Sequence, residues 1–283
     1  MGASMKEIKN RIKSVQSTRQ ITKAMELVAS SKVRRARERI ERTEPFFNIL
    51  YETMTGIAYG KRDFKSPFVE PREEIKKVCY VIIAGDRGLA GGYNSNILKM
   101  AVAAHANDAE KPKIIAIGKK AGEFFAKRDY DIVASYANIA EDIKPNTAQD
   151  IANIAIDMFA NGEVDEVVVF YTMFVSSMSQ EPHSMSVLPM DTVELEDYGV
   201  MTYDPSPEAV FNRIVPRFTA SLIQCAVVES YASEQGARRT AMENATDNAD
   251  AMTESLSLLY NRARQSSITT EIIDIVSGAS AQS

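Results

Sequence analysis

The sequence lacks tryptophan and has only two cysteines and two histidines among its 283 residues. His105 and His183 lie far apart, without cysteine or carboxylate neighbours at ligand spacing, so the sequence predicts no metal site. Cys79 and Cys225 are interpreted as small buried hydrophobes in a reducing compartment rather than as a disulfide. No nucleophile motif of the G-x-S-x-G kind is present, and no convergent set of acids and bases argues for catalysis.

Long apolar runs are also missing. The longest span about six to eight residues, well short of the roughly 20 that a membrane-spanning helix needs. The N-terminus has no apolar signal-peptide core, and its acidic residues and helical pattern argue against a transit peptide. The net charge of −5 gives no global argument for binding nucleic acid or membranes. We therefore expect a cytosolic-side protein of bacterial type.

Proline and glycine are scarce in the last quarter of the chain, which predicts one very long helix. Ser206 and Pro207 are typical of a helix start, and Gly278 of a helix end. At 1.5 Å per residue this helix would be a rod of roughly 100 Å. Small or apolar residues recur at steps of four and three, as in the seam of a coiled coil. The predicted seam residues are Ile214, Phe218, Ser221, Cys225, Val228, Ala232, Gln235, Met242, Thr246, Ala249, Met252, Leu256, Leu259 and Ala263.

A second long helix begins the chain. Ser4 and Glu7 form a capping box, and the helical pattern continues for about 50 residues, with a kink expected at Pro45. Residues 6–44 hold 12 Lys/Arg against 5 Asp/Glu, whereas residues 229–274 hold 4 Arg against 8 Asp/Glu. These opposite charges favour pairing of the two helices over self-association.

The middle of the chain alternates β-prone runs with helical stretches, which predicts βαβ units on a mostly parallel sheet. The predicted strands are 78–84, 113–117, 131–136, 166–174 and 184–188. The predicted fold class is α/β, in which a long antiparallel coiled coil of the N- and C-terminal helices carries an inserted Rossmann-like α/β domain. The predicted divisions are an N-terminal helix (1–60), a linker (61–75), the α/β domain (76–200) and a C-terminal helix with a projecting tip (205–283).

The two long helices differ in length by roughly 15–20 residues, about 25 Å of helix. Residues from about Leu259 onward are therefore expected to extend past the pair. A single helix that is apolar on several sides is unstable in water, so we expect a partner to surround it, with folding back on its own domain as the alternative. The apolar residues concerned are Ile268, Ile272, Ile273, Ile275 and Val276.

Two other functions are open at this point. The glycine-rich turn 85–92 follows a strand and precedes a helix, but its spacing is not G-x-G-x-x-G, and Gly118 stands where an acidic residue would hold a ribose. The position of the turn nevertheless keeps one alternative open, a nucleotide-dependent α/β enzyme with a coiled-coil oligomerisation arm. The basic run 32–39 suggests a scaffold or nucleic-acid binder, although it lacks stacking aromatics and better fits a solvated face or one that meets an acidic partner.

Four segments resemble the gamma subunit of bacterial F-type ATP synthases: KAMELVASSK (23–32), DRGLAGGYN (86–94), SEQGARRTAMENATDNA (233–249) and NRARQSSITTEIIDIVSGA (261–279). The resemblance implies a non-catalytic rotor shaft in the central stalk, without a cofactor. It also implies as partners a hexameric head of catalytic and non-catalytic nucleotide-binding subunits, a small epsilon-type stalk subunit and the membrane ring of the motor, with no nucleic acid. The complex would lie peripherally on the cytoplasmic face of the cell membrane, driven by protons or sodium ions.

The resemblance further implies which residues contact partners. Positions on the shaft would meet the lever and loops of the head, and the 86–94 turn would face its base. No catalytic, cofactor-binding or metal-binding residue is implied. The implied contact residues are Lys23, Met25, Asp86, Arg87, Gly91, Gly92, Asn94, Arg238, Arg264, Gln265 and Thr269.

Overall fold

The computed structural model describes residues 4–59, 66–70, 72, 74–106, 110–190 and 203–280. The start of the predicted linker at 61–65 and the predicted end of the α/β domain at residue 200 lie outside the described residues. The chain divides into two compact units, one of Met1–Ala29 with Arg239–Ser283 and one of Ser30–Arg238. The four-part division of the sequence stays a prediction.

The secondary structure follows the predicted order of elements. A short 3₁₀ helix, Ala140–Asp142, lies between β3 and α4. The helices and strands are α1 (Met5–Tyr59), β1 (Val78–Ile83), α2 (Tyr93–Ala104), β2 (Lys113–Ile117), α3 (Lys119–Ala126), β3 (Ile132–Tyr136), α4 (Pro145–Ala160), β4 (Glu166–Phe174), β5 (Gln180–Leu188) and α5 (Pro207–Ser280).

Both long helices begin as the sequence predicts. The Glu7 amide donates to Ser4 Oγ at 3.3 Å, and the Ser4 amide donates to Glu7 Oε2 at 2.8 Å, which completes the capping box. The Ala209 amide donates to Ser206 Oγ at 3.2 Å at the start of α5. Helix α1 continues through Pro45 without interruption, so this proline does not end it. Helix α5 runs two residues past Gly278, the predicted stop.

One sheet forms the centre of the unit Ser30–Arg238, with strand order β3-β2-β1-β4-β5. The pairs β3–β2, β2–β1 and β1–β4 are parallel, and β4–β5 is antiparallel. Strand β5 starts at Gln180, four residues before the predicted start, because an edge strand accepts polar residues and Pro182 that a buried strand would not. The α/β prediction is thus confirmed.

Each face of the sheet packs against helices, which explains the nearly continuous apolar composition of β1 and β2. On one face, alternate residues of β1 such as Val81 join α4 and the parts of α1 and α5 in this unit. On the other face, Tyr80 and Ile82 pack against α2 and α3. Phe47 of α1 stacks on Phe218 of α5 at 5.5 Å between ring centroids. The helix pair is therefore part of the core of this unit.

The other unit contains the first part of α1 paired with the last part of α5. Thr22 Oγ1 lies 2.8 Å from Thr246 Oγ1, and Arg19 forms an ion pair with Asp250. Residue numbers rise along one helix as they fall along the other, so the pair is antiparallel, as predicted. Continued at equal rise per residue, this register places Met5 opposite about residue 264.

The predicted seam is wrong at Met252 and Leu259, which are 55% and 49% exposed. The half-buried residues are instead Thr253 and Tyr260. The sequence prediction selected apolar side chains at these positions, which gave two successive steps of three residues along the helix. The observed positions keep the regular alternation of three and four that faces one partner helix.

The last part of α5 exposes apolar side chains on several sides, as predicted. Residues 265–277, here called the tip segment, lie past the register position opposite Met5. Within their unit, five apolar side chains of this segment are between 48% and 71% exposed. These are Ile268, Ile272, Ile273, Ile275 and Val276.

The buried pair of threonines predicts a non-additive mutational effect. Thr22→Val or Thr246→Val alone should lower the free energy of unfolding by about 1 kcal/mol, since one buried hydroxyl loses its cross-helix partner. The double variant should be less destabilised than the sum of the two, because both hydroxyls are removed together.

Urea unfolding of the four proteins measures this coupling. Thr269→Val is the control, since Thr269 is exposed and bonds only the Gln265 carbonyl of its own helix, at 2.9 Å. It should change stability by less than about 0.5 kcal/mol. Strict additivity of the two core substitutions would contradict the expectation.

Candidate functional site

The strand order reverses between β1 and β4, because β2 and β3 lie on one side of β1 and β4 lies on the other. In open α/β sheets, ligands bind outside the carboxyl ends of the strands at such a reversal. This space, here called the crevice, is bordered by the turn after β1 and by the end of β4. It is therefore the first place to look for a site.

The turn after β1 is held by its own side chains. Asn94 Oδ1 accepts from the Gly85 amide at 2.8 Å, and Asn94 Nδ2 donates to the Arg87 carbonyl at 3.1 Å. Asp86 Oδ1 accepts from the amides of Lys119 and Asn138, both at 3.0 Å. Of the predicted partner-contact residues, Asp86 thus ties this turn to the ends of β2 and β3, and Asn94 holds the turn to the start of α2.

Helix α5 completes the open edge of β4. Strand β1 pairs with β4 only as far as Phe170, so the backbone groups of Thr172 have no β1 neighbour. The Thr172 amide donates to Ser230 Oγ, and Ser233 Oγ donates to the Thr172 carbonyl, both at 3.0 Å. Both serines are fully buried. Two side chains of a helix therefore replace the missing strand.

A buried ion pair of α5 reaches the turn after β1. Arg238 Nη2 lies 2.6 Å from Glu234 Oε1 and donates to the Gly88 carbonyl at 3.2 Å. A methyl group on Gly85 would lie 2.9 Å from Glu234 Oε1, so glycine permits this close approach. Ser230, Ser233, Glu234 and Arg238 recur at helical spacing on one side of α5, and together they are called the polar stripe.

Burial shifts the pKa values of acids in the crevice. It raises the pKa of Glu234, while the Arg238 guanidinium opposes that rise. It also raises the pKa of the Tyr93 phenol well above its ordinary value, with the Glu234 carboxylate adding to the effect and a hydrogen bond to Ser230 opposing it. Tyr93 therefore stays a neutral hydrogen-bonding group beside the ion pair.

The described residues fill the crevice with protein. Where a dinucleotide-binding sheet would hold a phosphate, this sheet meets the polar stripe of α5. His105, one of the two histidines, bonds the Ala101 carbonyl and the Tyr130 hydroxyl at 2.9 and 2.7 Å. In the part of the chain that is described, no cluster of three or more His, Cys, Asp or Glu side chains could hold a metal ion. This geometry argues against the nucleotide-dependent enzyme.

Other predicted contact residues in this unit lie at its surface. Arg87, Gly91 and Gly92 are exposed in the turn, whereas Arg238 is only 9% exposed. Leu89, which the sequence did not single out, is exposed at the same turn with a φ of 62°. A leucine with positive φ is sterically strained, and the surrounding hydrogen bonds hold it there.

The remaining predicted residues lie in the unit built from the two chain ends. Lys23 Nζ pairs with Glu26 at 3.0 Å, and Met25 is half-buried. Arg264, Gln265 and Thr269 are exposed near or within the tip segment. Sequence reasoning missed Ser230, Ser233 and Glu234, because they lie beside the predicted seam positions Val228, Ala232 and Gln235 rather than on them.

Comparison with known proteins places the whole chain in one family. The family model described as ATP synthase matches residues 4–282. The ATP synthase gamma chain of Ruminococcus albus is 48% identical over 283 residues, which cover 98% of each chain. This chain belongs to the ATP synthase gamma-chain family. A sodium ion specific gamma chain of Acetobacterium woodii is 42% identical over 304 residues, which cover 99% of each chain. The resemblance inferred from the four motifs is thereby confirmed.

Chains in solved structures of mitochondrial ATP synthases share the fold. A chain from the central stalk and c-ring of Tetrahymena thermophila mitochondrial ATP synthase has a TM-score of 0.61 and 26% identity, covering 80% of this chain and 99% of that one. A chain from the rotor of the Euglena gracilis enzyme has a TM-score of 0.68 at 19% identity, covering 93% and 98%. The latter similarity concerns the fold alone. No helix within the described ranges has the length and apolarity to span a bilayer.

In this gamma-family chain Cys79 is buried, as predicted, whereas Cys225 is only half-buried, and neither is in a disulfide. Burial raises the pKa of Cys79 to about 12, so native protein at about pH 8 should hold roughly a thousandfold less Cys79 thiolate than an ordinary thiol would. Maleimide should therefore label Cys79 only after unfolding. A Cys225→Ser variant isolates the Cys79 signal in mass spectrometry. Equal labelling rates in native and urea-unfolded protein would contradict this prediction.

Proposed function

We propose that this chain is the rotor shaft in the central stalk of a bacterial F-type ATP synthase. As a gamma chain it is a non-catalytic subunit, and it couples ion flow through the membrane to ATP synthesis by turning inside a hexameric head. The observation that carries the proposal is the family match over residues 4–282, within which the helix pair lies. The exposed apolar tip segment adds to it, because such a surface needs a partner.

The partners follow from the same proposal. The tip segment and the exposed Arg264, Gln265 and Thr269 would contact the head, as would Lys23 and Met25. The turn with Arg87, Gly91 and Gly92 would face the base of the head. Asp86, Asn94 and Arg238 would act indirectly, by holding that turn. The α/β domain would sit on the membrane ring beside an epsilon-type subunit, at the cytoplasmic face of the membrane.

Accessibility of the tip segment tests the proposal. Ile272 is 55% exposed in its unit, so an Ile272→Cys variant of the isolated chain should react rapidly with maleimide. The background carries Cys225→Ala, and the buried Cys79 is retained. After co-expression with the nucleotide-binding subunits of the same organism, the chain should co-purify with the hexamer, and labelling of the introduced thiol should be lost.

The matched control is Lys99→Cys, at an exposed position of α2 in the sheet unit. It should be labelled both in the isolated chain and in a complex with the head alone. Failure to co-purify, or labelling of the tip that is equally fast with and without the head, would reject the rotor-shaft proposal.

A further inference from the structure

The polar stripe is an unusual way to pack a helix on a sheet. Apolar contacts alone would bury this part of α5, as they do on its preceding turns, where Ile223 and Val227 are fully buried. Instead, the four polar residues of the stripe form hydrogen bonds with specific backbone and side-chain groups. Hydrogen bonds are directional and weaken steeply with misalignment, whereas apolar packing is not directional.

These bonds specify both the rotation and the axial position of α5. Turning a helix by one residue moves its side chains by about 100° around the axis, and sliding it by one residue moves them by about 1.5 Å. Either change would separate Ser230 and Ser233 from Thr172, and Arg238 from the Gly88 carbonyl. No neighbouring register offers the same donors and acceptors.

Close backbone approach supports the same register. Gly236 lies in the middle of α5, where glycine is normally unfavourable. A methyl group there would lie 3.2 Å from Gln180 Nε2 and 3.4 Å from Phe174 Cε2, at the β4–β5 hairpin. The helix is thus fitted to this hairpin within a few residues of the serines.

We infer that the crevice, a ligand site in other doubly wound sheets, works here as the coupling between the α/β domain and helix α5. Ser230, Ser233, Glu234 and Arg238 are positioning residues that transmit torque by preventing α5 from turning or sliding against the sheet. The inference rests on the rotor function proposed above. It adds to that function the place where torque enters the long helix.

Angular fluctuation of the α/β domain measures this coupling directly. The head is fixed to a surface, a bead is attached at Lys99→Cys, and the angular spread of the bead is recorded while the motor is stalled without nucleotide. Two variants of equal shape are compared. The Ser230→Thr/Ser233→Thr variant keeps both hydroxyls, and the Ser230→Val/Ser233→Val variant lacks them.

The valine variant should increase the angular variance by about twofold or more, since two of the bonds that set the register are missing. The threonine variant carries the same added methyl groups and should show a smaller variance than the valine variant, and an exposed control, Ser255→Ala, should match the unmodified chain. A purely structural role would lower the melting temperature of the valine variant without widening its fluctuations at lower temperature. Equal variance for the threonine and valine variants would overturn the inference.

A second variant tests the inference if the valine variant does not assemble with the head. Glu234→Gln keeps the shape of the side chain but removes its charge, and it should widen the fluctuations, while the exposed control Glu243→Gln should not. Unchanged variance for Glu234→Gln would also overturn the inference. If the unmodified chain itself fails to assemble with the head, the rotor function fails instead, which separates the two outcomes.

Discussion

Arg238→Ala should lower the free energy of unfolding of the isolated chain by about 3–5 kcal/mol, because it leaves a buried carboxylate without its cation. Glu234 is only 6% exposed, and its Oε1 lies 2.6 Å from the guanidinium that the substitution removes. The Gly88 carbonyl also loses a donor. The control Arg213→Ala, at an exposed arginine of the same helix, should lower the free energy of unfolding by less than about 0.5 kcal/mol.

The cause of the loss can be tested with a second substitution. If the unpaired charge is responsible, the Glu234→Gln/Arg238→Ala double variant should be more stable than Arg238→Ala alone. A lower pH should also reduce the loss of stability in the Arg238→Ala variant. Burial already raises the folded-state pKa of Glu234 and Arg238 opposes that rise, so removal of Arg238 should raise the pKa further.

The direction of this pH dependence follows from proton binding to Glu234. A carboxyl group with a raised folded-state pKa adds stability that is fully present below its unfolded-state pKa and is lost as pH rises through the folded-state pKa. The deficit of Arg238→Ala relative to the unmodified chain should therefore be larger at about pH 8 than at about pH 5. Urea unfolding at both pH values measures it, and a deficit independent of pH would contradict the explanation.

Gly118→Ala should destabilise the chain by about 3 kcal/mol or more, from backbone strain together with direct overlap. Gly118 has a φ of 94°, and an added methyl group would lie 1.9 Å from the Ala84 carbonyl oxygen. That oxygen cannot move aside cheaply, since the Ala84 amide donates to the Ile117 carbonyl at 2.8 Å. The Gly118 amide in turn donates to the Tyr136 carbonyl at 2.7 Å.

Gly162 provides the matched control. Its φ of 71° is also positive, but an added methyl group would meet nothing within 4 Å. Gly162→Ala should therefore cost only the backbone term, about 1–2 kcal/mol. Urea unfolding of the two variants separates the cost of backbone strain from the cost of steric overlap. Equal urea midpoints would show that the overlap at Gly118 is unimportant.

Local signals predicted most of the fold. The capping box at Ser4 and Glu7 and the apolar runs of β1 and β2 depend on neighbouring residues, so the sequence pattern was sufficient. Strand β4 was predicted with its observed bounds for the same reason. The heptad pattern predicted the helix pairing, and it failed only where Met252 and Leu259 were preferred to Thr253 and Tyr260 for their apolarity.

The crevice could not be predicted in this way. Its geometry depends on β4 lying beside β1 and on α5 lying where β1 ends, and both are long-range features of topology. No local pattern therefore indicates that Ser230 pairs with Thr172, which is 58 residues away. Arg238 illustrates the same limit, since a family motif indicates a partner contact while its buried position shows an intramolecular bond.

Rotation of a single complex tests the rotor function most directly. The head is fixed to a surface through its nucleotide-binding subunits, and a bead is attached to Lys99→Cys, at an exposed position of α2 in the α/β domain. On addition of ATP, the bead should turn continuously in one direction and stop when ATP is removed. A bead that stays at one angle while the same complexes hydrolyse ATP would contradict the account.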